Sequence, residues 1–366
     1  MNRALLCAAL WLLAGCAAPA PTPPPASSPG EAAAAAPEID RVALGSCNDQ
    51  DGDQGFWDVL LAEDPDLFIY GGDNVYGDIR KDAQGKPIFL NGDMGRLKET
   101  YETLARVPGF QAMRARAPIL PTWDDHDYGA NDAGAEFPQR LEAEALFLDF
   151  WQVPAEDARR QREGVYFARS FGPAGRRVQV IMLDLRSFRG PLTPTDQEGA
   201  PGQERYVPNP DPALTILGPA QWRWLEEALR EPAELRLLVS SIQVIAEGHG
   251  WERWGLLPAE RERLYQLLVK SQARNTILLS GDRHRGALYR VTPAVEGAWP
   301  LYELTSSSLN LSFGGQEEPG PHRVGASFTG ENYGLIDIDW ARRAVTLRLR
   351  DMNRKDILTQ EVSLSP

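Results

Sequence analysis

The sequence predicts an α/β layered fold, and three observations carry that prediction. Short apolar strands recur, helical patterns alternate with them, and polar residues with metal-binding or acid-base chemistry gather where the strands end. "RVALGSCND" is a strand that breaks at Gly45 and opens on Ser46 and Cys47. "DLFIYGGDNVYGD" reads as a buried strand, Leu67 to Tyr70, stopped by Gly71-Gly72 and followed by Asp73. "APILPTWDDHD" ends in acids, and "VQVIMLDLRSFR" delivers Asp184 and Arg186 in the same way. "LRLLVSSIQV" brings Ser240 and Gln243, and "NTILLSGDRHRG" brings Asp282 and His284. Between them, "GFWDVLLAED", "EFPQRLEAEALFLDFW", "LGPAQWRWLEEALRE" and "PAERERLYQLLVKS" space their apolar residues as helices do. From Tyr302 to Ser365 the chain turns strand-rich, with "YGLIDIDW" and "AVTLRLRD" expected to pair antiparallel. Strand ends that open into a crevice are where such sheets bind ligands.

Composition narrows the function classes. With 366 residues, 43% of them hydrophobic, the chain has enough apolar surface for a large core. A net charge of -13 argues against a nucleic-acid partner, because counterion release needs clustered Lys and Arg. The first 15 residues read as a bacterial lipoprotein signal: Arg3, an apolar run from Ala4 to Leu13, then "LLAGC". Cleavage is expected before Cys16, with lipid on that cysteine and a membrane as its partner. Residues 16–38 are Ala/Pro/Ser-rich and read as a tether, leaving 39–366 as the folded domain. Cys7 leaves with the signal and Cys16 is acylated, so Cys47 has no partner for a disulfide. A lone cysteine is most often an inert buried hydrophobe, but this one stands at a strand end.

The stretch "PTWDDHDYGAND" sets Asp124, Asp125, Asp127 and Asp132 around His126 with no Lys or Arg among them. Carboxylates gathered in a crevice repel, and the sequence reading assigns the missing positive charge to metal. Two other pairs have metal-ligand spacing. Asp73 and Tyr76 are three residues apart on a Gly-rich turn, and Asp282 and His284 are two apart in an extended segment. Neither pair is specific alone; the combination of hard oxygen donors with a thiol and an imidazole is what points to a metal centre.

"GSC", "GGDNVYGD", "WDDHDYGAND", "LDLRSFR", "LGPAQWRWL", "SGDRH" and "ELTSSS" occur in the order seen in PhoD-like alkaline phosphatases. This family is a branch of the metallophosphatase superfamily related to purple acid phosphatases and calcineurin. The resemblance runs from about Val42 to the C-terminus. It implies a four-layer α-β-β-α sandwich of two mixed β-sheets flanked by helices, with the site at one end of the sheets. It also implies phosphate-ester hydrolysis, of monoesters, diesters or both, by a metal-bound hydroxide at an Fe3+/Ca2+ centre. Carried over, Cys47, Asp73, Tyr76 and His284 would hold the iron. Asp73 would bridge to a calcium site with Asp125 and Asp282, the carboxylates favouring a hard ion. Asn131 either completes that shell or makes an Asx turn. Asp124, Asp127 and Asp132 take supporting or capping roles.

His126 follows a ligand on the same loop and is placed to protonate the leaving oxygen. Arg186 is either a fork for phosphate oxygens or a structural ion pair. His249, Trp251 and Trp254, in "EGHGWERWG", either rim the crevice against the substrate's organic group or cover a core edge. A monomer is the expected state. Two alternatives remain open at this level: a calcium-dependent phosphodiesterase or phospholipase, and a non-catalytic calcium-binding envelope lipoprotein.

Overall fold

The computed structural model describes residues 37–365 apart from 316 and 319. The expected signal segment, the acylated Cys16 and the tether up to residue 36 lie outside the described residues. Among the described residues no helix is long and apolar enough to cross a membrane.

The chain runs β1 (Arg41–Gly45), α1 (Phe56–Ala62), β2 (Leu67–Gly71), a hairpin of β3 (Ile79–Lys81) and β4 (Pro87–Phe89), α2 (Met94–Arg106) and α3 (Pro108–Arg116). There follow β5 (Ile119–Thr122), α4 (Asp125–Tyr128), α5 (Arg140–Phe150), β6 (Phe167–Phe171), β7 (Val178–Met182), and the short pair β8 (Thr193–Pro194) and β9 (Tyr206–Val207). Next come α6 (Gly218–Ala228), β10 (Leu235–Val239), α7 (Pro258–Lys270), β11 (Thr276–Ser280) and β12 (Gly286–Val291). The last strands are β13 (Leu301–Ser306), β14 (Asn332–Asp339), β15 (Ala344–Asp351) and β16 (Asp356–Ser363).

Two six-stranded mixed sheets result, in the orders β16-β15-β14-β1-β2-β5 and β12-β13-β11-β10-β7-β6. In the first, β1, β2 and β5 are parallel; in the second, β7, β10, β11 and β13 are. Parallel strands covered on both faces read as continuous apolar runs, and β2, β7, β10 and β11 are buried throughout. Side chains alternate between faces, so one strand serves two cores. Val42, Leu44, Leu67 and Ile69 of the first sheet share a cluster with Val180, Met182, Leu237 and Leu279 of the second. Their neighbours Ala43, Phe68 and Tyr70 face Trp57, Tyr101 and Phe147 on helices α1, α2 and α5. Ile181, Leu238 and Leu278 face Trp222, Leu225 and Leu264 on α6 and α7.

The four helices expected from periodicity are α1, α5, α6 and α7. The two C-terminal stretches expected to pair are β14 and β15, antiparallel with Leu335 opposite Arg348. The sequence reading passes over α2, α3 and the β3–β4 hairpin. Helix α2 does carry a signal: Asp93 caps it by accepting from the Arg96 N–H at 3.0 Å, and Leu97, Tyr101 and Leu104 form its buried stripe. Helix α3 buries only Phe110 and Met113, and the hairpin leaves Ile88 and Phe89 exposed, so neither displays a period.

Candidate metal centre

The polar strand ends converge at one end of the two sheets. Thr122, closing β5, donates through Oγ1 to the Leu183 carbonyl just past β7 at 2.6 Å. Four residues immediately beyond strands adopt left-handed backbone: Cys47 (φ 57°), Asp73 (φ 48°), Asp282 (φ 66°) and His284 (φ 51°). Such conformations cost non-glycine residues about 1–3 kcal/mol each and persist where surrounding structure enforces them. The glycines that precede two of them are needed for close approach. A Cβ on Gly281 would lie 2.5 Å from Ser46 Oγ, and one on Gly72, at φ +103°, would lie 2.8 Å from the Asp124 Cβ.

Cys47, Asp73 and His284 offer ligand atoms that all lie within 4.8 Å of one another. Cys47 Sγ is 3.3 Å from Asp73 Oδ2, and Tyr76 Oη is 3.5 Å from the same oxygen and 3.4 Å from His284 Nε2. His284 Nδ1 bonds the Leu311 carbonyl at 2.7 Å, which fixes the ring and leaves Nε2 facing the thiol and phenol. Ser307 braces two of the four: its Oγ accepts from the His284 N–H at 2.7 Å and sits 2.9 Å from Cys47 Sγ.

The electrostatics of this group are those of ligands short of a cation. Burial, joined by the nearby Asp125, Asp124 and Asp127 and outweighing His126, pushes the Asp73 carboxyl well above the usual range. Burial and the neighbouring Asp73 do the same to the Cys47 thiol; burial, Cys47 and Asp73 raise the Tyr76 phenol. His284 is driven down to about 4 by burial, so its imidazole is neutral, the form that ligates metals. Asp73 Oδ1 is buried with no hydrogen-bond partner among the described residues. A sulfur, two oxygens and a nitrogen with one orphaned carboxylate oxygen fit a metal ion.

The surrounding acids divide into two sets. Asp124 is met by Arg186 Nε at 2.7 Å and by the Ser241 hydroxyl at 2.6 Å. Glu252 is met by Arg186 at 2.7 Å and Arg189 at 3.1 Å, and Asp132 by Arg205 and the Tyr206 hydroxyl. Asp127 accepts from the Asn74 backbone and side chain and from the Asp124 N–H, an N-terminal brace for α4. The lack of Lys and Arg within "PTWDDHDYGAND" is therefore made good in part by arginines from distant loops. Among the described residues Asp73, Asp125 and Asp282 have no guanidinium in hydrogen-bond contact; Arg186 lies 3.9 Å from Asp125. Asp125 and Asp282 group with Asp124, and Asp73 groups with Asp125 and His126. Burial opposes the charge on Asp125, yet His126, Arg186 and two backbone N–H groups hold its carboxyl well below the usual range.

His126 lies in the wall of a cavity of about 490 Å3 that opens over these ligands. Its Nδ1 is 2.7 Å from Asp78 Oδ1 and its ring lies on Tyr76, centroids 4.2 Å apart, so Nε2 is the nitrogen left for the cavity. Burial opposes its charged form, but Asp125, Asp78 and Asp73 together push its pKa well up. Asp125, Asn131, Trp251, Asp282 and His284 also line the cavity.

Of the expected site residues outside that lining, Cys47 and Asp73 belong to the ligand group, whereas Arg186, Trp254 and His249 belong to neither. Arg186 is fully buried beneath the loop, its guanidinium consumed by Asp124 and Glu252, so it positions acids rather than forking a phosphate. Trp254 is a core residue: its Nε1 donates to Ser240 Oγ at 3.0 Å and its ring meets Trp222 edge-on. His249 is buried with Nε2 3.0 Å from Gln243 Oε1. Conversely, Asp78, Arg205, Glu252, Arg283 and Ser307 belong to the site without having been singled out. Asp78 closes "GGDNVYGD", Glu252 lies inside "EGHGWERWG", Arg283 sits between two expected ligands and Ser307 lies inside "ELTSSS"; Arg205 stands in none of these motifs.

Fold and site together define a class: α/β proteins with two mixed sheets that gather metal-ligating side chains at their strand ends. The chain belongs to the PhoD-like phosphatase family, whose model matches residues 42–334. It is 25% identical over 281 residues to alkaline phosphatase D of Bacillus subtilis (strain 168), a match that covers 66% of this chain. The chain thus spans less than half, 45%, of that curated relative's length. Among solved structures it resembles PhoD, with a TM-score of 0.66 at 16% identity over 91% of this chain and 73% of that one. It also resembles a purple acid phosphatase from yellow lupin (Lupinus luteus) seeds, with a TM-score of 0.55 at 13% identity over 89% and 54% of the two chains. At these identities the likeness is one of fold.

Proposed function

We propose that this chain hydrolyses phosphate esters, monoesters, diesters or both, at a cation-holding centre. The observation that carries the reading is the meeting of Cys47, Asp73 and His284 within 4.8 Å, with an unpartnered oxygen on Asp73. Cys47, Asp73, Tyr76 and His284 would hold a ferric ion; Asp73, Asp125, Asp282 and Asn131 would hold calcium. These identities rest on donor chemistry and family resemblance. Such cations, when bound, grip phosphoryl oxygens, acidify a coordinated water and offset the charge of in-line displacement. The chain's own residues then supply position and a proton. Asp78 fixes His126 so that Nε2 presents a proton to the leaving oxygen, as general acids require. Arg186, locked between Asp124 and Glu252, sets the loop that carries Asp125. Clusters on both faces of each sheet support reading the architecture as four layers, helix, sheet, sheet and helix.

The lipoprotein-like leader supports reading this enzyme as a monomer of the bacterial envelope, hung by lipid on Cys16, periplasmic or surface-facing, with 39–366 as the catalytic domain. Cys16→Ser is expected to move the protein from the membrane to the soluble fraction; persistent membrane association in the variant contradicts the anchor. The function is tested by metal content measured beside rates on nitrophenyl phosphate and bis-nitrophenyl phosphate. Bound metal, a visible ferric-tyrosinate band and hydrolysis of at least one ester are expected. A metal-loaded protein inactive on both contradicts the enzyme, and a colourless, calcium-only one contradicts the iron site.

A further inference from the structure

The cavity wall beside the metal ligands carries a cationic feature that the chemistry above does not use. Trp251 lines the cavity, and two guanidinium carbons lie over its ring, Arg205 at 5.1 Å and Arg283 at 5.3 Å from the centroid. Both arginines line the same cavity. Among the described residues each is tethered by one carboxylate, Arg205 Nη1 by Asp132 and Arg283 Nη2 by Glu318. Arginine has five donors in a fixed fork, and one tether leaves most of them available. For Arg283, Nε is buried with no hydrogen-bond partner among the described residues. In a chain of net charge -13, two guanidinium groups thus stand on one indole. His249, just behind it, is pushed well below its usual pKa by burial and then by Arg283, Arg253 and Arg285. Elsewhere in the lining Asp49 pairs with Lys81 at 2.6 Å and Asp51 with Arg96 at 2.7 Å.

We propose that Arg205 and Arg283, held against Trp251, form a second anion subsite that takes a further phosphate or carboxylate group of the substrate while its reacting phosphate sits at the metal centre. This rests on the phosphoesterase reading. The preferred substrates are then esters with two anionic groups joined by a short organic spacer that lies along the indole. Guanidinium forks bind phosphate and carboxylate alike, so the arms of the test separate those two sources.

The experiment is calorimetric titration of the metal-loaded full chain with three non-hydrolysable probes. These are methylphosphonate, a propane-bridged bisphosphonate, and a phosphonate carrying a carboxylate on the same bridge. A second charge-assisted contact is expected to tighten binding about tenfold or more over methylphosphonate. Arg283→Gln is expected to reduce that gain to about twofold or less. Arg205→Gln, distant in sequence from the ligands, is expected to reduce it too and serves if Arg283→Gln does not fold. Using the ratio to methylphosphonate cancels general damage to the centre. Gain with the bisphosphonate alone assigns the subsite to phosphate, and equal gain assigns it to anions generally. If all three probes bind wild type equally, or the gain survives in both variants, the subsite is overturned while the phosphoesterase reading stands. If none binds, both fall.

Discussion

Glu63 and Asp73 are both buried carboxylates, 2% and 1% exposed, yet they are treated in opposite ways. Glu63, at the end of α1, is met by Arg350 at 2.9 Å, Arg354 at 2.8 Å and the Tyr333 hydroxyl at 2.5 Å. Burial alone would raise its carboxyl; these partners outweigh burial and hold it below the usual range. Asp73 has a thiol, a phenol and other acids for neighbours, one oxygen unpartnered, and a carboxyl pushed well up. A fold that meets one buried acid with two guanidinium groups and a hydroxyl, and gives another no arginine or lysine partner among the described residues, suits the second to a charge from outside.

Substitutions break this comparison most sharply at Asp73. Asp73→Asn is expected to lower phosphoesterase turnover by about three orders of magnitude or more, since cation binding supplies several kcal/mol of transition-state stabilisation. In chelator-stripped protein the same change should leave the melting temperature unchanged or raised, because an acid that resists ionising has been removed. Steady-state rates and thermal melts of the stripped protein check both halves. His126→Ala is expected to keep its metal and lose about a hundredfold or more in rate, read by metal analysis beside kcat. A fully active variant would move the proton donor elsewhere.

Glu63→Gln should do the reverse of Asp73→Asn, sparing the chemistry but destabilising the fold by about 2 kcal/mol at neutral pH. That is below the roughly 3–5 kcal/mol of a fully buried pair, because Arg354 is half exposed and solvent screens it. The sign follows from a depressed pKa. The folded state holds Glu63 ionised more readily than the unfolded chain, whose ordinary value is 4.5, so its contribution is complete above that pH. It is lost as pH falls through the lower folded value. The gap between wild type and variant in denaturant melts should therefore shrink in acid; a gap that widens there contradicts the ion-pair account.

The two regions also differ in how legible they are from sequence. Asp73, Tyr76, Asp282 and His284 stand out because each follows an apolar strand and a glycine, a local pattern that forces the chain to turn at the strand end. The arginines that neutralise the rest are not local. Arg186 reaches Asp124 across 62 positions, Arg205 reaches Asp132 across 73, and Ser307 reaches Cys47 across 260. Spacing carries no trace of such pairs, which is why Arg186 reads equally well as a phosphate fork or a buried tie. Trp251 and Trp254 make the same point. They share one short glycine-flanked motif, but only the tertiary fold puts the first on the cavity and the second under Ser240.

The account's central claim is that the strand-end ligands await a cation, and proton release tests it most directly. Metal added near neutral pH to stripped, weakly buffered protein should expel protons from Cys47, Asp73 and Tyr76 in step with binding and with the return of hydrolysis. In Asp73→Asn the release should fall or vanish. A stripped protein that hydrolyses phosphate esters at the full rate, or one that recovers activity with no proton released, would contradict it.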